Sequence, residues 1–147
     1  MITQKTKTDC GIASFANALS LTYEQAAACF CQQAPQTGTT AADTCNALLN
    51  IGLTPVYATF QAFYDHLGTP GNPASPEVVR NHPAILTVLS SNRRTLHAVY
   101  WNGQEAYDPD PHACNPRKLA DLTILEAVFA HKPGLCANGF SGSEGGI

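Results

Sequence analysis

Apolar side chains in the first half of the chain recur every three or four positions, the period of an amphipathic helix. From Cys10, the stripe Ile12, Phe15 (or Ala16) and Leu19 predicts one helix, with Thr8 or Asp9 placed to cap it by accepting from its free amides. Thr22-Tyr23-Glu24-Gln25 has the form of a capping box and opens a second helix that continues through Ala26, Ala27 and Ala28 to Cys29 and Cys31. Residues 32–39 read as a polar loop with Pro35 and Gly38. Thr39 or Thr40 then caps a third helix with Cys45, Leu48 and Leu49 on its buried side, and Gly52 ends it as a left-handed residue. Residues 53–58 predict a short strand. Tyr57, Phe60, Tyr64 and Leu67 return to helical spacing, which predicts a helix over 60–67 stopped by Gly68, its aromatic cluster in the core.

The pattern changes after a proline- and glycine-rich loop over 68–76, which suits a flap and implies no linker to a second domain. Ser75-Pro76-Glu77 starts a short helical turn. Residues 83–89 are β-branched and apolar and predict a central strand, followed by a polar turn over 90–94. Residues 96–101 and 104–108 flank Asn102-Gly103, the strongest short-range hairpin signal. A two-residue turn sets Trp101 opposite Gln104, Tyr100 opposite Glu105, Val99 opposite Ala106, Ala98 opposite Tyr107 and His97 opposite Asp108, with Cβ atoms about 4.5–5.5 Å apart. Pro109 and Pro111 end the second strand. Residues 119–130 predict a last helix that buries Leu122, Leu125, Val128 and Phe129. The expected organisation is one domain over 1–137 and a loose glycine- and serine-rich tail over 138–147.

At 147 residues, 44% of them apolar, the chain has material for one domain with a single sizeable core. Its net charge is -3 and its basic residues are scattered, which argues against a general nucleic-acid binder, since that needs a basic stripe. No segment approaches the roughly 20 apolar residues of a membrane helix. Met1-Ile2-Thr3-Gln4-Lys5 lacks the apolar run of a secretory signal, so the expectation is a cytoplasmic protein, and Cys10 lies too near Met1 for an inhibitory propeptide. That setting disfavours a disulfide framework among Cys10, Cys29, Cys31, Cys45, Cys114 and Cys136. Cys29 and Cys31 read as small apolar fillers. His112 and Cys114, with Cys136 or Cys45, lack the short paired spacings of a zinc site, and no metal or cofactor is expected. His66, His82 and His131 need no special role.

Candidate chemistry centres on Cys10. A thiol in the first turn of a helix meets unpaired amides with partial positive charge, which favour the reactive thiolate. Gln4, a short extended run upstream, has an amide able to donate to an oxyanion, and Gly11 leaves room for a substrate backbone. Simple burial is the commoner fate of a lone cysteine, so partners decide the matter. The hairpin supplies them: His97 as base, and Asp108 to hold one ring nitrogen and stabilise the imidazolium.

Gln4, Asp9-Cys10-Gly11-Ile12-Ala13, His97-Ala98-Val99-Tyr100 and Asp108-Pro109 together resemble the papain-like peptidases that process double-glycine leader peptides, enzymes that cut bacteriocin precursors during export. Gly38-Thr39-Thr40, Gly52-Leu53 and Pro83-Ala84-Ile85-Leu86 fit the same pattern. The resemblance runs from Gln4 to Asp108 and loosely to the region of Leu119. It implies an α+β papain-like fold, an N-terminal helical half packed on a C-terminal antiparallel sheet with the active site between them. It also implies a thiol hydrolase acting on a peptide or protein, with Cys10 as nucleophile, His97 as general base and acid, Asp108 as orienting group and Gln4 as oxyanion donor. The exporter relatives carry membrane and ATPase domains; this chain is expected to be a free-standing peptidase domain. Similar folds also serve as acyltransferases and as non-catalytic interaction modules, which are the competing expectations.

Overall fold

A computed structural model describes residues 1–90 and 95–133 of the chain. Four helices come first: α1 (Cys10–Leu19), α2 (Tyr23–Ala27), α3 (Ala34–Thr37) and α4 (Ala41–Asn50). The α1 stripe buries Ile12, Phe15 and Ala16 completely, as its spacing dictates. The expected capping box of Thr22 with Gln25 forms, and of the two candidate caps for the third helix Thr40 takes the place, making a second box with Asp43; a cap of this kind is worth ~1 kcal/mol. Three local expectations are corrected. Helix α2 stops at Ala27, so Cys29 and Cys31 lie beyond it, Cys29 half-buried and Cys31 exposed and not the apolar filler expected. The region read as loop contains the short α3, started by proline in its first turn. Leu49 is exposed and Cys45 half-buried, and α4 buries Thr44 and Ala47 beside the expected Leu48. Gly52, at φ +87, leads out of α4, and the amide of Leu53 reaches back to the Leu48 carbonyl at 2.9 Å.

Five antiparallel strands form the sheet: β1 (Thr54–Thr59), β2 (Ala84–Leu89), β3 (Leu96–Trp101), β4 (Ala106–Tyr107) and β5 (Ile124–His131), in the order β1-β5-β2-β3-β4. One face carries Ile85, Ala98 and Val128 and receives α1, α2 and α4. The other carries Leu86, Val88, Val99, Trp101 and Ala127, covered by Phe60, Val79 and Leu119. Burial on both faces is why β2 reads as an unbroken apolar run. The Trp101 indole N–H donates to the Val79 carbonyl at 2.8 Å and so ties the 3-10 turn Pro76–Val79 to the sheet. Helix α5 (Gln61–Leu67) ends at left-handed Gly68 as expected, yet of the four aromatic and apolar positions only Phe60 is fully buried; Tyr57 and Leu67 are exposed. The 68–76 loop lies over this helix, with Gly71 so close to the Tyr64 ring that a Cβ there would stand 1.9 Å from it.

Two larger corrections concern the second half. Residues 119–130 are not a helix: a 3-10 turn (Leu119–Asp121) leads into β5. This strand lies between β1 and β2 and is buried on both faces at Ile124, Leu125, Ala127 and Val128, so its pattern shows no clean alternation and mimics a helical stripe. The hairpin register also differs. Tyr100 pairs with Tyr107 and Trp101 with Ala106, because the connection is four residues long. Asn102 organises it: its Oδ1 accepts from the amides of Gln104 and Glu105, each at 2.8 Å. A slip of two positions leaves side chains on the same face, so Asp108 lies diagonal to His97 instead of opposite it.

The amide of Ser90 donates to the Thr95 carbonyl at 2.9 Å; the rest of the turn expected over 90–94 lies outside the described residues, as do Cys136 and the expected tail over 138–147. No helix among the described residues is long and apolar enough to cross a membrane.

Candidate active site

Cys10 is the first residue of α1. Asp9 occupies the cap position but makes no cap bond. Its buried carboxylate instead accepts from the amides of Lys5 (2.9 Å) and Thr6 (3.0 Å) and from the Tyr23 hydroxyl (2.6 Å). Burial pushes this carboxyl up, and the three donors outweigh it, so Asp9 titrates below the ordinary carboxylate range. The expected cap is thus a lock on the loop that carries Gln4, and Asp9 leaves the amides of the first helical turn beside the sulfur uncapped.

Strand β4 covers only Tyr100 and Trp101, which leaves the outer edge of β3 before them without a strand partner. Helix α1 uses that edge. The Ala98 amide donates to Cys10 Sγ at 3.4 Å, and Ser14 Oγ, one turn further on and fully buried, donates to the Ala98 carbonyl at 3.1 Å. Gly11 allows a close approach, though not by substrate. A Cβ there would lie 2.0 Å from Thr39 Oγ1, so Thr39 of this chain fills the space expected for a ligand backbone.

His97 immediately precedes Ala98 on the same strand. Its Nε2 meets Asp108 Oδ1 at 2.6 Å, with both side chains largely buried, which turns Nδ1 toward the thiol. Asp108 is itself held at several points. Its Oδ1 accepts from the Asp110 amide at 2.9 Å, its Oδ2 lies 3.7 Å from Arg117 Nη1, and its backbone exchanges two bonds with the Asn115 side chain at 2.8 and 2.9 Å. Burial pushes the Cys10 thiol up, but hydrogen bonding and charge from His97 and the Ala98 and Gly11 amides bring it below the ordinary thiol value. Burial likewise works against a charged His97, and the bonds to Asp108 and Cys10 outweigh it, pushing its pKa up to about 10. Asp108 is raised by burial and lowered more strongly by His97, the Asp110 amide and Arg117. The electrostatics favour a thiolate–imidazolium pair braced by a carboxylate.

Gln4 sits at the same corner, its amide donating to the Pro109 carbonyl at 2.8 Å. Its side-chain Nε2 gives one hydrogen to the Thr6 carbonyl at 2.9 Å and has a second to give. Its Oε1 is buried with no hydrogen-bond partner among the described residues.

Two cavities meet at His97. One, about 760 Å³, is reached by Cys10 and walled by Ala42, Cys45, Phe63 and Leu96, with Glu126 across it. The other, about 590 Å³, is lined by Gln4, Lys7, Asp108, Asp110, His112 and Arg117 among others. Cys114 and His112 line the second cavity and Cys45 the first; among the described residues no three metal-ligating side chains converge, and the five described cysteines are free. The four expected site residues Gln4, Cys10, His97 and Asp108 therefore surround one junction. Arg117, Asn115 and the backbone of Ala98 join them without having been expected. Arg117 arrives through a single bridge to Ala106, and no local pattern signals such a contact.

No protein-family model and no curated protein matches the chain. Solved structures do. A double glycine motif protease from an AMS/PCAT transporter, crystallised with its leader peptide, superimposes with a TM-score of 0.56 at 19% identity, covering 88% of this chain and 89% of that one. The peptidase domain of Streptococcus ComA, a bifunctional ABC transporter of a quorum-sensing pathway, gives 0.55 at 18% identity, covering 89% and 96%. The chain has the papain-like peptidase fold. That fold has helices packed on a five-stranded antiparallel sheet, as the resemblance implied.

Proposed function

We propose that the chain is a cysteine peptidase that hydrolyses an amide bond through a thioester on Cys10. The observation that carries this reading is the 2.6 Å contact between His97 and Asp108, made on the ring nitrogen that points away from a thiol seated at a helix start. In the reaction the Cys10 thiolate adds to the substrate carbonyl carbon, and the charge moves to oxygen. The Cys10 amide, first in α1, and the second Nε2 hydrogen of Gln4 are the donors for that oxyanion. The His97 imidazolium gives its proton to the leaving amine as the C–N bond breaks. Water then attacks the thioester, His97 takes its proton, and the C–S bond breaks to return the thiolate. Asp108 keeps the ring oriented through both steps. The acyl part of the substrate occupies the Cys10 cavity and the leaving part occupies the cavity lined by Gln4. A peptide as substrate is supported by the fold neighbour that binds a leader peptide.

The test is digestion of an unbiased peptide library by wild type and Cys10→Ala side by side, in water enriched in oxygen-18. New C-termini carrying one heavy oxygen, made by wild type alone, are expected. Intact peptides with wild type, or the same cuts from Cys10→Ala, remove the reading. Adducts with an added amine in place of acids would move it to acyl transfer.

A further inference from the structure

The cavity beside Cys10 holds one charged group that the reaction does not use. Glu126 lies on β5, and the register sets Ala98 opposite Thr87 and Thr87 opposite Glu126. The three residues form a row across β3, β2 and β5, with the Cys10 sulfur resting on the Ala98 amide at one end. Strands about 4.8 Å apart put Glu126 roughly 10 Å from Ala98 along that row. The pairing of β2 with β5 shifts between Thr87 and Val88, and a bulge at such a place re-aims the side chains next to it. The Tyr57 hydroxyl donates to Glu126 Oε2. Burial pushes the neighbouring Cys45 thiol up, and the Glu126 charge adds to it, so Cys45 contributes a neutral wall. Among the described residues no lysine or arginine lines this cavity or forms an ion pair with Glu126.

A carboxylate facing apolar walls is complemented by a cation that brings its own apolar stem. Lysine and arginine have that build: the chain from Cα to the charged head extends about 6–7 Å. With the substrate carbonyl on Cys10 Sγ, that length spans most of the row from Ala98 to Glu126. We propose that Glu126 makes this cavity a subsite for a lysine or arginine side chain on the acyl side of the cut bond. The proposal rests on the peptidase reading above for the direction in which the peptide lies.

The probes are peptidyl chloromethyl ketones in which lysine, norleucine as its neutral counterpart, or glutamate is placed at each of the first three residues on the acyl side. The Cys10 thiolate displaces chloride and forms a C–S bond, so no turnover is needed. Each rate is divided by the rate with iodoacetamide, which carries no side chain. At one of the three positions, lysine is expected to react about tenfold faster than norleucine in wild type. The ratio should fall to about one in Glu126→Gln, and Glu126→Lys should prefer glutamate there. Raising the salt should also shrink the wild-type ratio, a readout that survives if the variants do not fold. Equal wild-type rates at all three positions, a lysine preference that survives in Glu126→Gln, or a wild-type ratio indifferent to salt overturn the proposal. A lysine preference in a protein that cuts no peptide keeps the subsite and removes the peptidase reading; cleavage without the preference does the reverse.

Discussion

The two cavities that meet at His97 are built from different kinds of structure. The one at Cys10 is formed by regular elements: the start of α1, the first turn of α4, α5 and the middle of the sheet, with mostly apolar walls. The one at Gln4 is formed mostly by loops, the segment before α1 and the stretch after β4, closed by the end of β2, and its walls carry more polar and charged side chains. The Cys10 end is thus held largely by packing, whereas Gln4, Asp108 and the His97 ring are held by hydrogen bonds. Substitutions on the loop side should mainly cost rate, and those on the packed side should mainly cost stability.

The largest expected effect is on the loop side. Gln4→Ala should lower kcat/KM on a cleaved peptide by about 100- to 1000-fold, the usual loss for one oxyanion donor, without unfolding the protein. A parent-like rate would end the assignment of that role. Next comes Asp108→Asn, expected to cost about 100-fold and to change the pH profile. His97 is raised to about 10 against an ordinary 6.5. The stability this contributes is fully present below pH 6.5 and is lost as pH rises through about 10. Cys10 is depressed below 9.0, so its contribution is present above that value and is lost as pH falls through its lower folded value. The kcat/KM profile should therefore have an alkaline limb near pH 10 in wild type that moves toward neutral in Asp108→Asn. An unmoved limb would separate Asp108 from the titration of His97.

On the packed side, Gly11→Ala drives a methyl group into Thr39. Overpacking costs about 1–3 kcal/mol, and alanine in a helix returns about 1 kcal/mol. Thermal melts should show a small net loss in Gly11→Ala that the added change Thr39→Ala reverses; strict additivity of the two would break the contrast between the sides. The smallest effect is expected from Arg117→Gln. Its 3.7 Å contact with Asp108 is partly exposed on the arginine side and is worth about 0–1 kcal/mol, so kcat/KM should fall no more than about fivefold.

What was legible in the chain follows the range of the interactions. The α1 stripe, the Thr22 and Thr40 boxes and the Gly52 and Gly68 exits depend on residues within four or five positions of one another, and they appear where their patterns place them. The Asp9 cap was misjudged because its donors include Tyr23, fourteen positions away and brought near only by the packing of α2 on α1. The hairpin was recognisable from Asn102-Gly103, yet its length was decided by the Asn102 side chain and by Asn81, whose amide binds the Gly103 carbonyl at 2.8 Å from outside the turn. The residues of β5 carry the pattern of a helix because burial on both faces erases the alternation that marks a strand.

The sequence by itself determined which groups are available: a cysteine at a helix start, a glutamine ahead of it, a histidine on one arm of a hairpin and an aspartate just past the end of the other. Those choices are local, since a helix start and a hairpin are made by adjacent residues. Only the tertiary structure decided that Ala98 carries the thiol, that Asn115 and Arg117 brace Asp108, and that Glu126 faces the nucleophile's cavity. Each of these depends on strand order and register, which are set by how two buried faces pack and not by any residue's near neighbours.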